Sequence, residues 1–244
     1  MNAVFIRIPK TAGTYTMTVL GVENLARPRW VKEWFQNTGR VSFGHQDYPL
    51  LIRQGIVKKE FDESAFKFCF CRNPFDRAVS HYFYTMAWYP DVIPRDTKFI
   101  DFTRNLATTR TPRRLRRDSR IAGNCWVRPQ SDSIAGIKID FIGRFERLQE
   151  DIRNVADILG VPVGGAGKPG ATKRASYWRK VADILGTSAG GAREMGATSR
   201  APYWRTYYND EAEENVRQYY AVDFERFGYD DRIQARKGEG HARL

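Results

Sequence analysis

The sequence predicts an α/β fold, with a P-loop-like parallel sheet flanked by helices in a single domain over residues 1–230. Two strand–loop–helix units predict this fold, one in residues 3–24 and the other in residues 66–88. In each unit a run of β-branched or aromatic residues ends at a short polar loop, and an apolar helical pattern follows. Strands that alternate with helices are typical of parallel sheets, because a parallel pair needs a crossover connection.

The first unit predicts an anion site. Its strand ends at Pro9, and the loop that follows contains Lys10, Thr11 and Gly13 before the helix begins. Backbone N–H groups at a helix N-terminus attract anions, and Lys10 adds a full positive charge. We therefore expect a phosphate- or sulfate-sized anion to bind here. The loop is not a Walker loop, because the Gly-x4-Gly-Lys-Ser/Thr spacing is absent.

The second unit predicts another cationic position at the end of a strand. The strand covers residues 66–71, and Arg72 follows it directly. Asn73 suits a helix N-cap and Pro74 suits the first helical position, so a helix is expected from there to about Trp88. Ser80 then lies about two turns into this helix, where it and Arg72 could contact one phosphate.

Further elements are predicted along the rest of the chain. The last one is an amphipathic helix over residues 209–227, with acidic residues in its first turns and Gly228 at its end. The others are a strand at 40–44, a helical turn at 50–52, a helix that starts within 97–102, a strand at 139–145 and a helix at 148–159.

Taken together, the two loop motifs resemble those of the sulfotransferases that use 3′-phosphoadenosine 5′-phosphosulfate (PAPS). The first, Pro-Lys-Thr-Ala-Gly-Thr at 9–14, resembles their 5′-phosphosulfate loop. The second, Arg-Asn-Pro-x-x-Arg-x-x-Ser-x-Tyr at 72–82, resembles their 3′-phosphate site. The likeness is to the carbohydrate-type branch in its small bacterial form. It extends to residues 140–146 and 203–230, so that residues 1–230 would be the sulfotransferase domain.

The resemblance implies transfer of a sulfuryl group from PAPS to a hydroxyl, with a saccharide as the expected acceptor and 3′-phosphoadenosine 5′-phosphate (PAP) as the product. It implies that Lys10 neutralises the leaving phosphate and that no metal is required. The donor-binding residues that it implies are Lys10, Thr11, Ala12, Gly13, Thr14, Tyr15, Arg72 and Ser80.

His45 has two interpretations. It follows a predicted strand and Gly44, and such a pair is commonly a turn with a solvated or hydrogen-bonded histidine. In carbohydrate sulfotransferases, a Gly-His at this point of the chain often supplies the catalytic base, a role that suits a side chain with a pKa near working pH. His81 and His241 are less suitably placed. If His45 is not the base, the next candidates are the carboxylates of Glu33, Asp47 and Asp132.

The acceptor site is only weakly indicated. Residues 110–120 contain six arginines, which form either a solvated basic face or a rim that holds an acidic acceptor. Arg113 and Arg116 are candidate acceptor contacts within this run. Gln130 is a third candidate, because its region often lines the acceptor cleft in the family that the chain resembles.

Composition limits the class of protein. The chain has 244 residues, of which 42% are hydrophobic, enough for the core of one domain. No apolar run approaches the roughly 18 residues of a membrane span, and the first strand begins too early for a signal peptide. We expect a soluble, cytoplasmic protein. Three cysteines, Cys69, Cys71 and Cys125, are too few and scattered for a disulfide framework or a zinc site.

The net charge of +12 predicts affinity for multiply charged anions. PAPS, a sulfated glycan and nucleic acid all fit this description, so two rivals stay open: a basic glycan- or nucleic-acid-binding module without catalysis, and a nucleotide-kinase-like P-loop protein. The binding module would not explain two anion-binding loops, and the kinase lacks its Walker motif. We expect no specific nucleic-acid partner, and the oligomeric state is open.

A tandem duplication interrupts the later part of the chain. Residues 155–180 align without gaps to residues 181–206, and 17 of the 26 positions are identical. Two copies are too few for a solenoid. We expect the second copy to fill the loop role of the family and much of 161–186 to be an insertion, although the first copy could fill that role instead. Residues 231–244 are expected to be a charged, disordered tail.

Overall fold

The sheet has five parallel strands in the order β2-β3-β1-β4-β5. The computed structural model describes residues 1–25, 39–109, 127–163 and 203–233. The strands are β1 (Ala3–Phe5), β2 (Glu23–Asn24), β3 (Arg40–Ser42), β4 (Phe66–Cys71) and β5 (Phe141–Arg144). Because β1 lies at the centre, between β3 and β4, the loops that follow these three strands meet at one edge of the sheet.

Eight α-helices lie in the described part of the chain. They are α1 (Gly13–Val19), α2 (Tyr48–Arg53), α3 (Lys59–Ser64), α4 (Pro74–Trp88), α5 (Phe99–Arg104), α6 (Leu148–Leu159), α7 (Asp210–Tyr219) and α8 (Ala221–Phe227). Short 3-10 turns occupy Ser131–Ile134, Phe145–Arg147 and Tyr203–Tyr207. These helices cover both faces of the sheet, so the α/β prediction is confirmed.

Alternate residues of β4 point to opposite faces of the sheet and into different hydrophobic clusters. Cys69 and Cys71 pack with α2 and α3 on one face, whereas Phe68 and Phe70 pack with α1 and α6 on the other. A third cluster joins α4, α5, α7 and α8. Both thiols are free and buried, and burial raises the pKa of Cys71 to about 11.

The caps of α4 follow the sequence closely. The Asn73 side chain accepts hydrogen bonds from the backbone N–H groups of Phe75 (2.9 Å) and Asp76 (3.4 Å), and Pro74 occupies the first turn. This confirms the predicted start at Pro74 and end at Trp88, and it fixes the direction in which α4 leaves β4.

Other boundaries differ from the predictions. The first helix ends at Val19 instead of near residue 24, because the chain turns at Gly21 (φ 59°) and enters the short strand β2. The predicted helix at 209–227 is two helices, α7 and α8, which meet at Tyr220. Helix α3 was not predicted, because its six residues are too few for a clear period. Most of the duplication, residues 164–202, lies outside the described residues.

Candidate active site

The loop between β1 and α1 has an unusual backbone. Lys10 (φ 68°) and Ala12 (φ 65°) both lie in the left-handed region, which residues with a Cβ rarely adopt. The loop is held by Thr11, whose hydroxyl donates to the Ile8 carbonyl at 3.0 Å. Strained backbone of this kind persists where surrounding contacts fix it, and it is frequent at functional sites.

Two arginines from the second motif fix successive carbonyls of this loop. Arg77 Nε donates to the Pro9 carbonyl at 3.1 Å, and Arg72 Nη1 donates to the Lys10 carbonyl at 3.1 Å. The two motifs that the sequence predicts to bind anions therefore contact each other, at the carboxyl ends of adjacent parallel strands.

Lys10 projects from the fixed backbone onto an aromatic ring. Its Nζ lies 3.9 Å from the centroid of the Tyr84 ring, two turns beyond Arg77 on α4. Burial, together with the nearby positive charges of Arg72 and Arg7, lowers the pKa of Lys10 to about 7. The neutral amine of Lys10 can therefore take up a proton when an anion binds nearby.

Arg72 is oriented from three sides. Its guanidinium forms a bidentate ion pair with the Asp76 carboxylate, in which Nε and Nη2 each lie 2.7 Å from a carboxylate oxygen. The guanidinium also lies 4.0 Å from the centroid of the Phe145 ring. The third contact is the bond to Lys10 described above. Ser80 lies half-buried one turn after Asp76. Asp76 was not singled out by the sequence, although its spacing of four residues from Arg72 on a helix is typical of an ion pair.

A buried polar network lies beneath these residues. The Gln130 amide exchanges two hydrogen bonds with the backbone of Arg72, at 2.9 and 2.8 Å. Asp223 of α8 accepts from the backbone N–H groups of Gln130 (2.7 Å) and Ser131 (2.8 Å), and it lies 4.0 Å from Arg77 Nη1. The side chains of Gln130, Arg77 and Asp223 are fully buried. Their role in the structure is to hold the ends of β1 and β4 together.

Arg7 borders the loop on its other side. Its Nη2 donates to the Thr14 hydroxyl at 2.8 Å. A Cβ added at Gly13 would lie 2.7 Å from Arg7 Nε and 2.8 Å from Arg7 Cγ, so glycine is needed there for close approach. Tyr15 accepts a hydrogen bond from Gln149 of α6 at 2.8 Å.

His45 lies beside the same loop. Its Nδ1 is 2.9 Å from the Arg7 carbonyl oxygen, which can only accept, so Nδ1 carries the proton and the lone pair of the neutral ring is on Nε2. Burial, followed by the positive charge of Arg7, lowers the pKa of His45 to about 3. A small cavity of about 10 Å³ beside His45 is lined in part by Arg7 and Arg128. Their positive charges add to the effect of burial in disfavouring the protonated ring.

His81, which the sequence gave no role, also lies close to the loop residues. It occupies the α4 face that carries Arg77 and Tyr84, one turn from each, and it is fully buried. Among the residues that the structure describes, neither ring nitrogen of His81 has a hydrogen-bond partner. Burial, with the charges of Arg77, Lys10 and Arg72, holds the pKa of His81 well below its usual value. Its spacing of four residues from Arg77 could have indicated this position.

The predicted acceptor residues are not brought together by the described structure. Arg113 and Arg116 lie outside the described residues, as do Cys125, Glu33 and His241. Gln130 is described, but its amide is bonded to the Arg72 backbone and is fully buried. Its acceptor role stays a prediction, and the contact it makes is a structural one.

Two further properties concern the described residues as a set. Within residues 1–25, 39–109, 127–163 and 203–233, no three His, Cys, Asp or Glu side chains are grouped so that they could hold a metal ion. In the same ranges no helix has the length and apolar character needed to cross a membrane.

The structure is that of an α/β protein whose parallel sheet has a lysine-bearing loop after its central strand and an arginine after the neighbouring strand, at the sheet edge where such folds commonly bind ligands. A model of the Sulfotransferase family matches residues 2–230, nearly the whole chain, and the protein therefore belongs to this family. The match includes both motifs and the final helices. Comparison with curated proteins and with solved structures gave no match.

Proposed function

We propose that the protein transfers a sulfuryl group from PAPS to a hydroxyl, with a saccharide as the acceptor. Membership of the family supports sulfotransfer in general. The observation that carries the choice of donor is the hydrogen bond from Arg72 to the Lys10 carbonyl at 3.1 Å, because it joins a 5′-phosphosulfate-type loop to a 3′-phosphate-type arginine. PAPS, which carries phosphate groups at both the 3′ and the 5′ positions of its ribose, matches a site with one loop of each type.

In this proposal, Lys10 neutralises the charge that develops on the leaving 5′-phosphate. The backbone of residues 10–14 surrounds the phosphosulfate, with Thr11, Ala12, Gly13, Thr14 and Tyr15 forming the rest of the cradle. Arg72 and Ser80 bind the 3′-phosphate. In-line transfer needs little covalent chemistry from the protein, so positioning and charge stabilisation supply most of the rate.

His45 is proposed as the general base. As the acceptor oxygen bonds to sulfur, the bond between sulfur and the leaving phosphate oxygen breaks, and the hydroxyl proton passes to His45 Nε2. The hydrogen bond between Nδ1 and the Arg7 carbonyl supports this role, since it leaves the lone pair on Nε2. With a pKa of about 3, the free imidazole is a weak base. The negative charges of the bound donor would raise this pKa towards working pH.

The carboxylate alternatives are less well supported in the described structure. The Asp47 carboxylate caps α2 by accepting from the Leu50 N–H at 3.0 Å, so one of its oxygens is already engaged. Asp132 is exposed on the 3-10 turn at Ser131–Ile134, and Glu33 lies outside the described residues. His45 is the candidate whose hydrogen bonding defines a proton acceptor next to the Lys10 loop.

A thermal-shift comparison tests the donor. We expect strong stabilisation by PAP, a weaker response to ATP, and a response to heparin that does not replace the PAP response. Stabilisation by heparin alone would favour the glycan- or nucleic-acid-binding module, and stabilisation by ATP with Mg²⁺ alone would favour the kinase-like protein. Transfer of label from PAPS to an array of saccharides, phenols and peptides tests the acceptor, and a preference for phenols or peptides would refute the saccharide.

A further inference from the structure

The backbone that carries Lys10 cannot easily move. The Lys10 carbonyl accepts a hydrogen bond from Arg72, and the Pro9 carbonyl accepts one from Arg77. The φ angle of Lys10, 68°, lies in the small left-handed region of allowed backbone conformations. The direction in which the side chain leaves the loop is therefore set. The position of the flexible end of the side chain, the ammonium, depends on the residues that it contacts.

Helix α4 supplies the surface on which the ammonium rests. Arg77 and Tyr84 are seven residues apart, two helical turns, and so lie on the same face of α4. Arg77 contacts the loop at Pro9, and the Tyr84 ring lies 3.9 Å from Lys10 Nζ. One helix thus fixes both the backbone of the loop and the end of its lysine side chain.

From this geometry we infer that Tyr84 is a positioning residue, whose ring face holds the Lys10 ammonium in place for the leaving phosphate. The inference rests on the proposed PAPS-dependent function. A ring suits this task better than a carboxylate would. Its negative face attracts the cation, but it carries no net charge that would repel the donor's phosphates.

The test uses PAP affinity, measured by calorimetry, in a series that changes the electron density of the ring and keeps its shape. Tyr84 is replaced by Phe and then by phenylalanines with one, two and three ring fluorines, each of which weakens the negative face. Tyr84→Leu removes the ring. A cation–π contact of about 0.5–2 kcal/mol, at about 1.4 kcal/mol per tenfold change, predicts a loss of roughly two- to thirtyfold for Leu.

We expect Tyr84→Phe to bind PAP within about twofold of the wild type, because the ring face is retained, and the fluorinated variants to weaken binding in order of fluorine number. In a Lys10→Met background the same substitutions should have no graded effect, because the cation is absent. Equal affinities across the fluorinated series, or tighter binding as fluorine is added, would overturn the inference alone. Failure of the wild type to bind PAP would overturn the proposed function and the inference together.

Discussion

Binding of PAP should draw a proton from solution, and Lys10 should be the group that takes it up. In the free protein, burial and the charges of Arg72 and Arg7 lower the pKa of Lys10 to about 7. At pH 8, about 10% of the molecules then carry this proton. An adjacent phosphate favours the charged form and raises the pKa by about 1–3 units, so the complex should hold it in about 50–99% of molecules. The expected uptake is about 0.4–0.9 proton.

Calorimetry measures this uptake directly. The enthalpy of PAP binding at pH 8 is compared in buffers of low and high ionisation enthalpy, and the slope of enthalpy against ionisation enthalpy gives the number of protons. His45 should contribute almost nothing at this pH, because a pKa of about 3 raised by about 1–3 units stays well below 8. The phosphates of PAP are already ionised, since their second pKa is about 6.

Lys10→Arg is the matched control. A guanidinium remains protonated at pH 8 whether or not PAP is bound, so this variant should bind PAP with no buffer dependence. The reasoning would be refuted if the wild type showed no proton uptake at pH 8, or if Lys10→Arg showed the same uptake as the wild type. In the second case, another group in the site would be the one that titrates.

Three other perturbations have expected outcomes. Asp223→Ala should lower the free energy of unfolding in urea by about 3–5 kcal/mol, because it removes the buried carboxylate that faces the buried Arg77 charge. Glu225→Ala, at an exposed position of the same helix, should change it by less than about 0.5 kcal/mol. A loss below about 1 kcal/mol for Asp223→Ala would contradict the network. Arg72→Ala should weaken PAP more than adenosine 5′-phosphosulfate, and equal losses would remove Arg72 from the 3′-phosphate role. His45→Ala should lower turnover by about 10²–10⁴-fold with PAP affinity nearly intact. Wild-type turnover should fall at low pH, because only the neutral imidazole accepts a proton, and the variant should not show this fall. Near-normal turnover of the variant would exclude His45 as the base.

The elements next to the two motifs could be predicted because their signals are local. Asn73 and Pro74 define the start of α4 through a side-chain cap and a missing N–H, and both effects act within one turn. Gly228 ends α8 in the left-handed conformation for a similar reason, with φ 61°. The break between α7 and α8 could not be found this way. Tyr220 is a fully buried aromatic residue that fits an uninterrupted apolar stripe, and its hydroxyl donates to the Val127 carbonyl at 2.6 Å.

The positions of Lys10 and Arg72 at the ends of strands could also be predicted, but not the contacts that hold them, and their donor roles stay a prediction. Lys10 and Arg72 are visible in the sequence because each follows a strand and precedes a helix. The contact of Lys10 with Tyr84 depends on the direction of α4 across the loop. The two hydrogen bonds between the Gln130 amide and the Arg72 backbone depend on the path of residues 127–134 beside the end of β4. Spacing along the chain contains no information on either, because the partners are far apart in sequence.

Asp223 is a residue whose long-range contacts the sequence did indicate. It lies three residues after Tyr220 and seven after Val216, and so falls on the apolar face of the final helical pattern. A carboxylate there must be paired or hydrogen-bonded, since an isolated buried charge costs several kcal/mol. Its partners are the Gln130 and Ser131 N–H groups and Arg77, and Arg77 in turn holds the Pro9 carbonyl. The end of the chain therefore helps to build the loop at its beginning.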